Sequence, residues 1–183
     1  MELFDLYNAD REKTGEVMER GKSIPDNRYH LVVHICIINS KGEMLIQRRQ
    51  PFKLGWPGMW DLTCGGSAIS GENSARAASR ELEEEIGYKM SFNNIRPVFT
   101  IHFDHGFDDI YIVDKDVDMH NLVLQYEEVQ AVKWATQEEI IDMIDRGIFI
   151  PYHKELIKLL FFMKNHRGTF VIDDLSENNR TEK

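Results

Sequence analysis

The chain of 183 residues has only two cysteines, Cys36 and Cys64, too few for a disulfide framework. That scarcity suits a reducing compartment, so a cytoplasmic location is the expectation. No apolar run reaches membrane-spanning length, and the opening MELFDLYNADREKTGEVMERGK is too charged for a signal peptide. Positive charge is in deficit, with 22 Lys and Arg against 31 Asp and Glu and a net charge of −9. A nucleic-acid polymer calls for a basic face, so that class of partner is excluded, and nothing invites a membrane. Five prolines and no long Gly/Ser-rich stretch leave no linker to divide the chain. One domain over 1–175 is expected, with a polar arm within 1–29 and a frayed tail over 176–183. The arm can lie across a partner or across its own core, which leaves a homodimer open.

What is present reads as a mixed sheet with helices outside it. A short strand is expected at 3–7, followed by polar chain to about residue 28. The β-branched run HLVVHICII at 30–38 predicts a buried strand. Ser40-Lys41-Gly42 predicts a turn, with 44–48 returning as the second strand of a hairpin. A short strand at 61–64 should end at Gly65-Gly66. Strands at 95–102 and 109–114 are expected around Asp104-His105-Gly106, and another at 129–134. Thr136 to Glu139 resembles a capped helix start, and a further helix is expected over 153–164. The pattern predicts an α+β or layered α/β domain.

The clearest helix is 73–86, stopped by Gly87. On it Ala75, Ala78, Leu82 and Ile86 form one apolar stripe, while Glu81, Glu84 and Glu85 share an adjoining face at i, i+3, i+4 spacing. Three converging carboxylates repel one another. Divalent cations relieve that repulsion, and carboxylate oxygens are the hard ligands Mg²⁺ or Mn²⁺ prefers. A solvated acidic face is the ordinary alternative for a Glu-rich helix.

The surroundings decide between the two. From Gly66 the sequence runs through Glu72, Arg80-Glu81, the aliphatic Leu82, Glu84-Glu85 and Gly87 to the apolar Tyr88. This 66–88 stretch resembles the Nudix box, and a chance match at one starting point is below roughly one in ten million at average residue usage. The resemblance implies an α/β/α sandwich with a mixed β-sheet and a central catalytic helix. It also implies hydrolysis of a nucleoside diphosphate or its conjugate by metal-activated water, with Mg²⁺ or Mn²⁺ as cofactor and a small-molecule diphosphate as partner. By the same resemblance Glu81, Glu84 and Glu85 are metal ligands, with the carbonyl of Gly66 as a further candidate. Arg80 is carried as part of the catalytic group and as a support for Glu84, and Glu72 as a support and a candidate on the substrate side.

Outside the box, Glu128 lies six residues before Trp134, where many Nudix enzymes carry a metal-site or base glutamate. Arg48 and Arg49 end a strand, so alternation sends them to opposite faces and only Arg49 is taken as a phosphate contact. His102, Asp104, His105 and Asp108 match no zinc spacing. His30 and His34 share a strand face and read as core-edge histidines; Phe52, Trp56 and Trp60 can stack on a base or cover the core, and core is the commoner place for an aromatic cluster.

A second resemblance is to type I isopentenyl-diphosphate isomerase, carried by YHLVVHICIINSKGEMLIQRR and WPGMWDLTCGG. That family places a cysteine and, two residues later, a metal-binding histidine in this stretch. Counted back from Gly71-Glu72, those positions hold Gly65 and Ser67, with Cys64 one residue early and expected on the other strand face. His30 does match. The intact box favours a hydrolase over an isomerase and over a silent ligand-binding Nudix module. The subfamily position some fifteen residues past the box holds Phe103 and Asp104 and names no substrate.

Overall fold

A computed structural model describes residues 2–168, so the tail expected over 176–183 lies outside the described residues. The chain opens with an antiparallel hairpin of β1 (Leu3–Tyr7) and β2 (Lys13–Glu19), with Leu3 opposite Glu19. The second strand falls where polar arm was expected. Its sequence, KTGEVME, is mostly exposed and poor in strand-forming types. Pairing makes it a strand: β1 buries Phe4, Leu6 and Tyr7 and offers its free edge. Tyr7 and Tyr29 exchange backbone hydrogen bonds at 2.8 and 3.0 Å, which ties the hairpin to the body of the protein.

Seven strands make the main sheet: β3 (His30–Ile38), β4 (Met44–Arg49), β5 (Trp60–Asp61), β6 (Cys64–Ser67), β7 (Phe99–Phe103), β8 (Gly106–Asp114) and β9 (Val129–Ala135). β3 and β8 run parallel from His30↔Gly106 to Ile38↔Asp114, and β7 returns antiparallel along β8. The expected β3–β4 hairpin closes only at Ile38↔Met44. Below that pair the strands splay. β6 takes the edge of β3 from Val32 to Ile35, while β4 pairs with β9 and β5. The Thr63 hydroxyl spans the splay: it accepts from the Ile37 N–H at 2.9 Å and donates to the Leu45 carbonyl. The single strand expected at 61–64 is therefore two, broken at Leu62-Thr63.

Strand alternation divides the core into two layers. Val33, Ile35, Ile37 and Leu45 face α1 (Ser74–Ile86), joined by Leu82, Ile86 and Phe92. Cys36, Ile38, Met44 and Ile46 face α2 (Gln137–Asp145) and α3 (Lys154–Asn165) through Ile140, Ile157 and Leu160. This is the layered α+β architecture with a mixed sheet. Among the described residues no helix is long and apolar enough to cross a membrane.

The chemistry-bearing helix has defined ends. The Asn73 side chain accepts from the Arg76 N–H at 2.9 Å, closing the first turn. Gly87 adopts φ 70°, so its N–H reaches Glu83 O at 2.9 Å and the Tyr88 N–H reaches Leu82 O at 3.3 Å. α2 carries the anticipated cap, with Thr136 and Glu139 bonding reciprocally.

Candidate active site

The three glutamates of α1 fall at different depths. Glu85 is buried at 5% exposure, and its carboxylate accepts from Gln47 Nε2 at 2.9 Å. Burial, reinforced by the Glu81 carboxylate, pushes Glu85 up to about 8 even against that hydrogen bond. Glu81 is also raised by burial, with Arg80 opposing. The Glu84 side chain stands at the solvent edge, 51% exposed.

Arg80 organises the cluster. Its guanidinium donates to Glu72 at 2.8 and 3.0 Å, to Glu81 at 2.9 Å, to Glu84 at 3.0 Å and to the Ser67 carbonyl at 3.1 Å. One cation thus answers three carboxylates and one backbone oxygen. Glu72 also accepts the Ile69 N–H at 3.0 Å, so it holds the loop that enters α1. Of the two residues expected on the substrate side, Arg49 faces the recess described below and Glu72 does not.

The β6 glycines are required by proximity. A Cβ on Gly66 would overlap the Glu81 carboxylate, and one on Gly65 would strike the His34 ring and the Val33 carbonyl. The bare backbone of Gly66 leaves the Glu81 carboxylate its place against β6, and β6 and α1 share the lining of a polar recess of about 110 Å³. Gly66, Glu81, Glu84 and Glu85 form its acidic wall. Arg49, Lys53, Arg80, Gln125 and Glu128 also line it, with Glu2 and Arg20 from the ends of the hairpin.

Arg48 and Arg49 separate as alternation requires. Arg49 donates to Gly55 O at 3.1 Å and lies 3.5 Å from Asp61 Oδ2, whereas Arg48 turns to Gly58 O at 2.9 Å. Glu128 reaches the recess and accepts from Lys53 Nζ at 2.7 Å. The site residues expected from sequence therefore converge, Glu72 apart. Arg20, Lys53 and Gln47 were missed. For Gln47 a signal existed, since alternation places it on the Leu45 face of β4, toward α1. Arg20 and Lys53 come from a hairpin and an irregular loop, and local sequence carries no sign of where they point.

Among the described residues no three carboxylate, imidazole or thiol groups converge on a single metal position. The hydrogen bonds explain this: Arg80 draws Glu81 and Glu84 to itself, while Gln47 holds Glu85. The donor set nonetheless fits a hard divalent cation, being all oxygen, crowded and close to a glycine backbone. Of the polar residues around the β7–β8 tip, Asp108 is bound to His34 Nδ1 at 2.8 Å.

Three expectations outside the cluster meet different outcomes. His30 is a core-edge histidine, its ring 5.6 Å from those of Phe4 and Phe103. Burial would lower His34, but the Asp108 hydrogen bond outweighs it and lifts the ring to about 8. Phe52 and Trp56 are not core: both are exposed, and Trp56 sits at φ 50°, a strained setting for a bulky residue. Both lie in the loop between β4 and β5, outside the sheet, so apolar character does not translate into burial. Cys64 takes the face of β6 opposite to that of Gly65, as alternation leads one to expect. It lies on the α1 face against Glu85, is 1% exposed and does not line the recess. Burial and the Glu85 carboxylate raise its thiol well above the ordinary range.

Comparison with known proteins agrees with this architecture. The NUDIX domain model matches residues 28–160, leaving the β1–β2 hairpin outside it. An "uncharacterized Nudix hydrolase" of Listeria monocytogenes is 45% identical over 165 residues, covering 90% of this chain and 96% of the relative. The isopentenyl-diphosphate isomerase of Escherichia coli is 27% identical over 150 residues, covering 76% of this chain and 80% of that enzyme. Among solved structures, DR0079 of Deinococcus radiodurans superposes with a TM-score of 0.68 at 26% identity, covering 87% of this chain and 97% of that one. With its box, its sheet order and these relatives in agreement, the chain belongs to the Nudix hydrolase family.

Proposed function

We propose that this hydrolase cleaves the diphosphate linkage of a nucleoside diphosphate or its conjugate, with Mg²⁺ or Mn²⁺ held by Glu81, Glu84 and Glu85. The observation that carries this reading is the meeting of both signs of charge in one small recess. Carboxylates of α1 line it together with the cations Arg20, Arg49, Lys53 and Arg80. A diphosphate needs both: guanidinium and ammonium groups for its outer oxygens, and carboxylate ligands for the ions that accompany it. A divalent ion bound there supplies charge neutralisation and lowers the pKa of attacking water.

The protein's own groups do the rest. Arg49 and Lys53 fix the phosphate oxygens and orient the linkage for in-line attack. A phosphate oxygen competes with Glu128 for the Lys53 ammonium, which frees Glu128 Oε1 to take a proton from water. Arg80, anchored on Glu72, keeps Glu81 and Glu84 at the recess when the charge balance changes.

A panel of nucleoside diphosphates, nucleotide conjugates and prenyl diphosphates, incubated with Mg²⁺ or Mn²⁺, tests the reading. Release of a nucleoside monophosphate, abolished by EDTA and restored by either ion, is the expected result. Undiminished turnover in a thoroughly chelated sample would overturn it.

A further inference from the structure

A recess of about 110 Å³ is well below the roughly 300 Å³ at which pockets begin to enclose a drug-sized molecule. It has room for a diphosphate and little else, so the organic part of any substrate must lie on the rim. Beside that rim are large apolar side chains left in water. Phe52 precedes Lys53, Tyr126 stands between Gln125 and Glu128, and their ring centroids are 5.9 Å apart. Phe52 is 57% and Tyr126 71% exposed, and Trp56 follows Gly55, whose carbonyl binds Arg49.

This placement is held by the fold. The Gln50 N–H donates to Glu128 O at 3.0 Å and Lys53 pairs with Glu128, so the loop bearing Phe52 is stitched to the segment bearing Tyr126. The strained Trp56 backbone lies in the same loop, and strain of that kind gathers at binding sites.

We propose that Phe52 and Tyr126 form a stacking platform for the nucleobase of the substrate, while the diphosphate enters the acidic recess; this rests on the function proposed above. A planar base can stack on a ring whose other face is in water. An isoprenoid chain would gain little from so open a surface, because its burial needs enclosure. The rings therefore set substrate class, and Lys53, between them and the recess, binds the phosphate end.

Two probes that resist cleavage separate the parts: α,β-methylene-ADP, which has a base, and methylenediphosphonate, which has none. Binding is measured by calorimetry with Mg²⁺. The parent should bind the nucleotide analogue at least about tenfold tighter than the diphosphonate. Phe52→Ala with Tyr126→Ala should erase that difference and leave diphosphonate affinity within about twofold, and Tyr126→Phe should retain it. Both changes are at exposed positions, and an unchanged melting temperature confirms folding. If the diphosphonate binds but the base adds nothing, or the double variant keeps the preference, the platform is wrong while the recess stands. If isopentenyl diphosphate loses affinity in the variant and the nucleotide does not, the occupant is an apolar chain. If neither probe binds, the diphosphate reading falls and takes the platform with it.

Discussion

The side-chain amide of Gln47 donates to the Glu85 carboxylate at 2.9 Å, joining the middle of β4 to the last turn of α1. Both side chains are buried, and the Gln47 Oε1 has no partner. An amide placed in the core at that cost is there to orient the carboxylate. Gln47→Leu keeps the bulk and removes the donor. Mn²⁺ affinity, read by titration without substrate, should weaken by about 10–100-fold, with a parallel loss of turnover. Unchanged Mn²⁺ binding would show that Glu85 needs no such guide.

Glu84 and Glu83 are neighbours with opposite assignments. Glu84→Gln removes one ligand charge and should cut turnover at least about a hundredfold, roughly 3 kcal/mol of transition-state stabilisation. Its exposed pairing with Arg80 makes the expected change in melting temperature small. Glu83 points away and pairs with the exposed Lys89. Glu83→Gln should leave rate and stability alone, and equal damage from both would mean that the helix register is misassigned.

Cys64 discriminates hydrolysis from isomerisation. Its thiol is buried, held protonated and outside the recess lining. Cys64→Ser should leave hydrolysis within a few-fold, about 1 kcal/mol or less in barrier. Isopentenyl diphosphate incubated with the parent should yield no dimethylallyl isomer. Formation of that isomer, lost in Cys64→Ser, would make the thiol an acid and overturn the hydrolytic assignment.

His34 gives a pH signature in stability. The Asp108 pair raises its pKa from 6.5 to about 8 in the folded protein. The folded state therefore holds the proton more tightly, and this contribution is complete below pH 6.5 and lost as pH rises through 8. Glu85, also raised to about 8, adds a slope of the same sign between 4.5 and 8 without metal. The His34 share is thus the difference between parent and His34→Gln, whose melting temperature should fall less steeply from pH 6.5 to 8. Identical slopes would remove the ion pair from the account.

The parts legible in the sequence are those set by local chemistry. The α1 stop is readable because only glycine sits easily at φ 70°, and the α2 start because Thr136 and Glu139 cap each other. The glutamate face follows from helical geometry alone. Arg49 was separable from Arg48 by strand alternation. What escaped depends on chain far away. β2 is a strand only because β1 lies beside it, and β3 meets β4 at one pair because Thr63 and β6 fill the splay. Lys53 reaches Glu128 across 75 positions of sequence. The exposure of Phe52 and Trp56 escaped because composition says that a side chain is oily and says nothing of whether another segment arrives to cover it.

The β1–β2 hairpin lies outside the span shared with the family model, yet it supplies Glu2 and Arg20 to the rim. Part of the recess lining thus comes from a stretch of polypeptide separate from the glutamate helix. The glutamate helix is locked into the core by Leu82 and Ile86 and tolerates little variation. The hairpin is attached through one apolar face, the Tyr7–Tyr29 bridge and polar ties from Asp5 to Ser70 and Gly71 and from Arg11 to Asp109, while Gly15, Glu16 and Val17 on its second strand are exposed. A grafted hairpin would change the charge at the mouth of the recess while leaving both the glutamate helix and the Phe52–Tyr126 pair as they are, so the two could be varied one at a time.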